Sequence, residues 1–279
     1  RDSNFELVAL IGRRPDSPGL ARFEERIPLV LSGGLNSFLT HSNEVEGVFD
    51  ATSALDHPHH WSLLKERDKW MVDLTPSRVG RALVPALAGK TSEMTVDKDS
   101  HPSNYSMVTC GGQSGAAIAY AISRNADSVQ EVEISSSIAA LSAGPATRGN
   151  IDEYIETTES LMAQITACPK TKAILVLNPA DPPVVMRTTV TVKGSGIDLA
   201  KVTQDCEEII ADVQRWVPGY SLAVSAHEIR PGVVTASVKV RGAGYYLPTY
   251  AGNLDIINAA AVETARMHAT SRRDSTISA

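Results

Sequence analysis

The 279-residue sequence predicts an α/β protein in two parts, a parallel sheet followed by an α+β region with an antiparallel or mixed sheet. Two observations carry that reading. Up to Cys110, short apolar runs alternate with helical stretches and end in small or polar residues, as parallel strands beneath crossover helices do. Beyond Cys110 the runs alternate apolar and polar residues, as half-exposed strands do.

The first element, "FELVALIG", reads as a buried strand over Phe5–Ile11. A turn rich in Gly and Pro follows, then a helix. "EGVFDATS" is a second short strand ending in Asp50, Thr52 and Ser53, "KWMVDLTPS" a third and "NYSMVTCGG" a fourth. A small-residue helical pattern starts at Cys110. "SVQEVEISSSIAAL" and "VVTASVKVRG" alternate; "AILVLN" and "VVMRTTVTV" are continuous and rich in branched residues. Helices are expected over Asp152–Thr166 and Ala200–Trp216. "NLDIINAAAVETARMHA" fits a long closing helix, and "TSRRDSTISA" a frayed end. In parallel sheets of this kind, ligands sit beyond the carboxyl ends of the strands.

The length suits one large domain or two modest ones. A composition 43% hydrophobic and 21% charged is that of an ordinary globular protein, and a net charge of -6 argues against a nucleic-acid surface. No run of about 18 apolar residues offers a membrane span. Three cysteines with no CxxC pair, and no secretory leader, favour a reducing, cytoplasmic setting. The chain starts at Arg1 rather than Met, so Arg1 need not be the native start.

Several stretches can carry chemistry. A thiolate at a helix start gains from free N–H groups and the helix dipole, and Gly111 and Gly112 let those groups converge on an oxyanion. A buried structural thiol fits the same residues, and on them alone both readings of Cys110 stand. "SAGPATRGN" (Ser142–Asn150) precedes an acidic helix; it can cradle a phosphate, or Asn150 can simply cap the helix. Arg13 and Arg14 after the first strand either accommodate a 2′-phosphate or are surface charges. "DHPHHW" (His57, His59, His60) matches no common zinc spacing, so no metal site is expected. His227 could act as a base for Cys110. Cys168 and Cys206 read as ordinary thiols, and Tyr245 and Tyr246 as core or interface.

Taken together, "VFDATS", "DLTPS", "MVTCGGQ", "SAGPATRGNIDE", "ETTES", "LVLNPADPPVVMR" and "YYLPTYAGNLDI" resemble one family. It is the acylating, CoA-dependent acetaldehyde dehydrogenases that partner a pyruvate-forming aldolase. The resemblance spans residues 5 to 268. It implies a Rossmann-like nucleotide-binding domain over residues 1–109, completed by a C-terminal helix within 248–279. A catalytic and dimerisation domain covers 110–247. It also implies that Cys110 attacks a small aldehyde, that hydride passes to NAD or NADP, and that coenzyme A, as co-substrate, releases the acyl group. By the family pattern Ser142, Ala143, Gly144, Pro145, Ala146, Thr147, Arg148, Gly149, Asn150 and Asn253 face the cofactor. A homodimer and an aldolase partner are implied as well.

Three departures accompany the resemblance. The family's first strand and GxGxxG-like loop, expected before Phe5, have no counterpart in this chain. Thr188 stands where the family carries the aspartate of "MRDT", and threonine cannot act as a base at neutral pH. Arg13, within "GRRP", replaces an acidic position, shifting preference toward NADP or removing dinucleotide binding. "KGSGI" is also short for the family. The alternatives are a cysteine enzyme that does not use coenzyme A, acting on another aldehyde or acyl substrate, and a repurposed scaffold that has lost dinucleotide binding and works as a non-redox enzyme or binding protein.

Overall fold

The structure, a computed structural model, describes residues 5–96 and 102–277; Arg1–Asn4, residues 97–101, Ser278 and Ala279 lie outside that range. The first apolar run forms β1 (Ala9–Gly12), four residues later than its hydrophobicity suggests, because Phe5 packs into the main core instead of pairing. α1 (Pro18–Phe23) opens with Pro18, whose fixed φ suits a first helical turn, and buries Leu20. β2 (Leu29–Ser32) pairs in parallel with β1 from Ala9↔Leu29 to Gly12↔Ser32. Only four residues long and preceded by charge, β2 gave no clear signal in the sequence. α2 (Leu35–Phe38) and a 3-10 turn lead to β3 (Gly47–Asp50), then α3 (His57–Lys65) and β4 (Trp70–Asp73). The two-residue β5 (Arg81–Ala82) and β6 (Asn104–Ser106) complete a parallel sheet in the order β3-β4-β6-β5.

The parallel strands therefore fall into two sheets, divided between β1 and β3. Side chains of β1 (Ala9, Ile11) and β3 (Val48) share a small apolar cluster with Phe38, Leu64 and Met71.

After β6 the chain enters α4 (Cys110–Arg124), then β7 (Ser128–Ala139), the short α5 (Pro145–Gly149) and α6 (Ile151–Thr166). β8 (Thr171–Asn178), β9 (Met186–Ser195), α7 (Leu199–Gln214), β10 (Tyr220–Arg230) and β11 (Val233–Val240) follow. Their five strands form one mixed sheet, β10-β11-β9-β7-β8, in which only β7 and β8 run parallel. The sequence reading missed β10, whose exposed Val224, His227, Glu228 and Arg230 break the alternation it relied on.

Period-2 patterning fixes which face is buried. Ile134, Ile138, Val190, Val192, Ala236 and Val238 point into the core beneath α4, α6 and α7. The opposite face carries hydroxyl pairs, Thr189 with Ser237 and Thr191 with Thr235. α4 lies close to the sheet because its inner positions are small: a Cβ at Gly115 would sit 2.5 Å from Ile134 Cδ1.

α8 (Gly252–Ile277) packs on α4, β4 and β11, linking the parallel and mixed sheets. His268 lies against the Trp70 and Tyr105 rings, with its Nδ1 3.1 Å from the Tyr105 hydroxyl. The expected frayed end over 270–279 is corrected: the helix runs on to Ile277, since extending a helix already nucleated costs far less than starting one. Tyr245 and Tyr246 are not core. They are 96% and 57% exposed, and Arg22 lies over the Tyr246 ring. No described helix is long and apolar enough to cross a membrane.

Candidate active site

Cys110 is presented by a strained turn. Val108, a β-branched residue, takes φ 61°, held by its N–H donating to Ser106 Oγ. Such a conformation costs free energy and persists only where the surroundings fix it. Thr109 then caps α4, its Oγ1 accepting from Gly112 N–H at 2.9 Å, so Cys110 is the first residue of the helix. Gln113 ties the turn down by donating to Leu83 O and Met107 O, and Tyr220 donates to Ser114 O at 2.7 Å.

Cys110 keeps some exposed surface, yet its sulfur is densely surrounded, and burial pushes the thiol up to about 11. The Tyr154 hydroxyl and the N–H groups of the helix start act the other way without overcoming it. The thiol donates to Tyr154 Oη at 3.9 Å. Burial holds Tyr154 well above the usual phenol range, and the neighbouring Cys110 adds to the effect.

Thr188, fully buried on β9, lies one layer behind. Its Oγ1 is 2.7 Å from Ser114 Oγ and 3.0 Å from Ser136 Oγ. The position expected to hold a carboxylate is thus one link in a chain of hydroxyls. His227 is not brought to Cys110: it is exposed on the edge strand β10, its Nδ1 2.9 Å from Ser225 O. The sequence reading missed Tyr154, Ser136 and Ser114. Their only signal was polar atoms recurring on inward-facing helix and strand positions.

The loop 142–150 follows β7. Ser142 and Ala143 are buried, whereas Gly144, Pro145, Arg148 and Gly149 are exposed; α5 takes up Pro145, Ala146, Thr147, Arg148 and Gly149. Arg148 donates to Ala140 O and Ala143 O, so its guanidinium braces the loop. Asn150 stands at the junction of α5 and α6 without a side-chain capping bond. Asp152 and Glu153 occupy the first turn of α6 and already serve its dipole, which disfavours that helix start as a phosphate cradle. Asn253, 2% exposed, reaches the loop from α8 by donating to Ser142 O at 3.4 Å. Its Oδ1 is buried without a partner among the described residues. Arg13 is exposed at the carboxyl end of β1, and Arg14 pairs with Asp16.

The histidine cluster forms a second polar site. His57 and His60 each place Nδ1 2.9 Å from Asp50 Oδ2, at the carboxyl end of β3. Asn104 Nδ2 lies 3.0 Å from His57 Nε2, and Asp73 Oδ1 3.5 Å from His57 Nδ1. Burial works to raise Asp50, but hydrogen bonds from His57, His60 and Thr52 outweigh it and hold the carboxyl far below its usual range. Asp50 in turn raises His60, and burial raises Asp73. His59 is exposed beside His60. Cys168 and Cys206 are buried packing thiols.

Residues 110–248 match the family described as prokaryotic acetaldehyde dehydrogenase, dimerisation. An acetaldehyde dehydrogenase of Pectobacterium atrosepticum is 42% identical over 267 residues, 96% of this chain and 88% of that protein. One of Spirochaeta aurantia is 41% identical over 269 residues, with the same coverage. Among solved structures, an aspartate semialdehyde dehydrogenase II of Vibrio cholerae aligns with a TM-score of 0.58 over 94% of this chain and 98% of that one, at 12% identity. A probable aspartate-semialdehyde dehydrogenase of Pseudomonas aeruginosa aligns at 0.54 over 94% and 97%, at 10% identity. These two likenesses show the fold: a Rossmann-like parallel sheet joined to an α+β part.

Proposed function

The chain belongs to the prokaryotic acetaldehyde dehydrogenase family, and from that premise we propose that it converts a short aldehyde to its acyl-CoA through a Cys110 thioester, with NAD or NADP as hydride acceptor. The observation that carries the reading is Cys110 itself, the first residue of α4, set by a strained turn beside the N–H groups of the helix start and the Tyr154 hydroxyl. Sulfur suits the chemistry because it adds readily to an aldehyde and leaves readily from the acyl intermediate. The N–H groups of Cys110 and Gly111, beside the thiol, would receive the oxygen that develops charge.

A bound nicotinamide dinucleotide supplies the hydride acceptor. The unpartnered, buried Oδ1 of Asn253 fits a carboxamide N–H donor, and its Nδ2 bond to Ser142 O keeps that acceptor beside the 142–150 loop. We assign Ser142–Asn150 and Asn253 to cofactor binding, with Arg148 as a brace of the loop. We assign Arg13, exposed after β1, to a ribose or 2′-phosphate. Residues 1–109 together with the C-terminal helix within 248–279 would form the nucleotide-binding unit, consistent with α8 packing on β4, and 110–247 the catalytic unit. The hydroxyl-bearing outer face of the five-stranded sheet is our choice for a homodimer contact. A pyruvate-forming aldolase as aldehyde source, and a cytoplasmic setting, follow from the family resemblance.

One observation favours a second reading. Thr188 puts a hydroxyl rather than a carboxylate at this position, as a scaffold turned to non-redox chemistry would show. An assay with acetaldehyde, coenzyme A and either dinucleotide separates the two. The dehydrogenase reading expects CoA-dependent dinucleotide reduction that Cys110→Ser abolishes. Binding of neither dinucleotide, or turnover unaffected by Cys110→Ser, would overturn it.

A further inference from the structure

We propose that Tyr154 is a catalytic residue of the aldehyde-addition step, relaying the Cys110 thiol proton to the aldehyde oxygen. The proposal rests on the aldehyde reading above. The thiol donates to Tyr154 Oη at 3.9 Å. Tyr154 itself is 6% exposed, and its phenol occupies space over the first turn of α4 that only a glycine at 111 leaves open. A Cβ there would stand 2.1 Å from Tyr154 Oη and 2.7 Å from Ser136 Oγ.

The Tyr154 hydroxyl meets Ser136 and Thr109 as well as Cys110. Thr158 Oγ1 donates to Tyr154 O at 2.7 Å and lies 2.8 Å from Thr109 Oγ1, tying α6 to the cap of α4. Ser136 continues to Thr188 and Ser114, and Ser114 donates to Gly111 O at 3.0 Å. Among the described residues, burial, the Tyr154 hydroxyl and nearby backbone N–H groups are what shift the thiol. Thiol and phenol are both neutral at rest, so addition needs a route that never separates charge.

A cyclic transfer provides one. As Sγ bonds to the carbonyl carbon, the S–H proton passes to Tyr154 Oη, and the phenolic proton passes to the carbonyl oxygen. The C=O π bond becomes the new O–H bond. The product is a neutral hemithioacetal, and the phenol ends as it began. Positioned proton transfer of this type contributes roughly 10²–10⁴-fold.

The test is Tyr154→Phe, which keeps the ring and removes the hydroxyl. Iodoacetamide labelling of Cys110, read by peptide mass spectrometry across pH, needs no dinucleotide and is not confused by Cys168 or Cys206, both buried. Loss of the hydroxyl is expected to move the labelling profile to higher pH, and to lower kcat/KM for acetaldehyde roughly 100-fold. Ser136→Ala, which leaves the phenol but removes a neighbouring hydroxyl, is expected to shift both in the same direction by less. An unchanged labelling profile, or turnover within threefold of wild type (about a thirtieth of the smallest factor expected of such transfer), would overturn the assignment. A shifted profile in a protein that does not turn over acetaldehyde supports the Tyr154–Cys110 contact while overturning the proposed reaction.

Discussion

Gly111→Ala probes the packing on which the site depends. In an open helix this change stabilises by about 1 kcal/mol, because alanine is the better helix former. Here the added methyl would stand 2.1 Å from Tyr154 Oη, 2.7 Å from Ser136 Oγ and 3.2 Å from Tyr154 Cζ. Unstrained contacts begin near ~3.5 Å, so the phenol must retreat by more than about 1 Å. α6 gives little room for that, since Leu161, Met162 and Ile165 lock it into the core. Overpacking of this kind costs about 1–3 kcal/mol and cancels or reverses the propensity gain. The expected net effect is between neutral and about 2 kcal/mol destabilising. The functional loss is larger, because a displacement of about 1 Å at a reacting group can cost about 10²-fold. Denaturant unfolding and Cys110 labelling read the two effects separately. A variant about 1 kcal/mol more stable than wild type, with unchanged labelling and turnover, would refute the packing on which this reasoning rests.

Two further outcomes are expected. Thr188→Val removes one hydroxyl from a fully buried chain, but Ser114 retains Gly111 O and Ser136 retains Tyr154 beside it. The cost by denaturant unfolding should therefore lie near the low end of the unsatisfied-polar range, about 1 kcal/mol. A carboxylate-like dependence on pH at this position is not expected, since neither residue titrates. The Asp50–His60 pair makes stability pH-dependent with opposite signs at its two ends. His60 is raised, so its contribution is complete below 6.5 and fades as pH rises through the folded value. Asp50 is lowered, so its contribution is present above 3.8 and is lost as pH falls toward the folded value. Asp73, raised by burial, works against stability as pH climbs past 3.8. Asp50→Asn should therefore narrow its stability deficit between about pH 6 and about pH 8; a deficit that is flat across that window would contradict the pairing.

The sequence made the frame legible where physics is local. Period-2 alternation located β7 and β11, and helical spacing located α6 and α7 to within two residues. The same reasoning found Cys110 at a helix start, because a glycine pair after a strand forces a turn there. It failed where tertiary contacts decide. Nothing in "NIDEYIETTE" distinguishes Tyr154 from an ordinary inward-facing aromatic; its contact with the thiol exists because Gly111, distant in sequence, leaves the space. His57 and His60 showed no ligand spacing, and their real partners, Asp50, Asp73 and Asn104, come together only when β3, β4 and β6 pair in register. The helical end of α8 was hidden by polar residues whose conformation is set by the helix preceding them.

The central claim is that Cys110 carries the acyl group. Incubation with acetaldehyde and the dinucleotide that supports turnover, without coenzyme A, followed by acid quench and peptide mass spectrometry, tests it most directly. The expected result is an acetyl adduct on the Cys110 peptide that disappears when coenzyme A is added before the quench, and that Cys110→Ser never forms. Dinucleotide reduction with no adduct at Cys110, or an adduct on Cys168 or Cys206 instead, would contradict it.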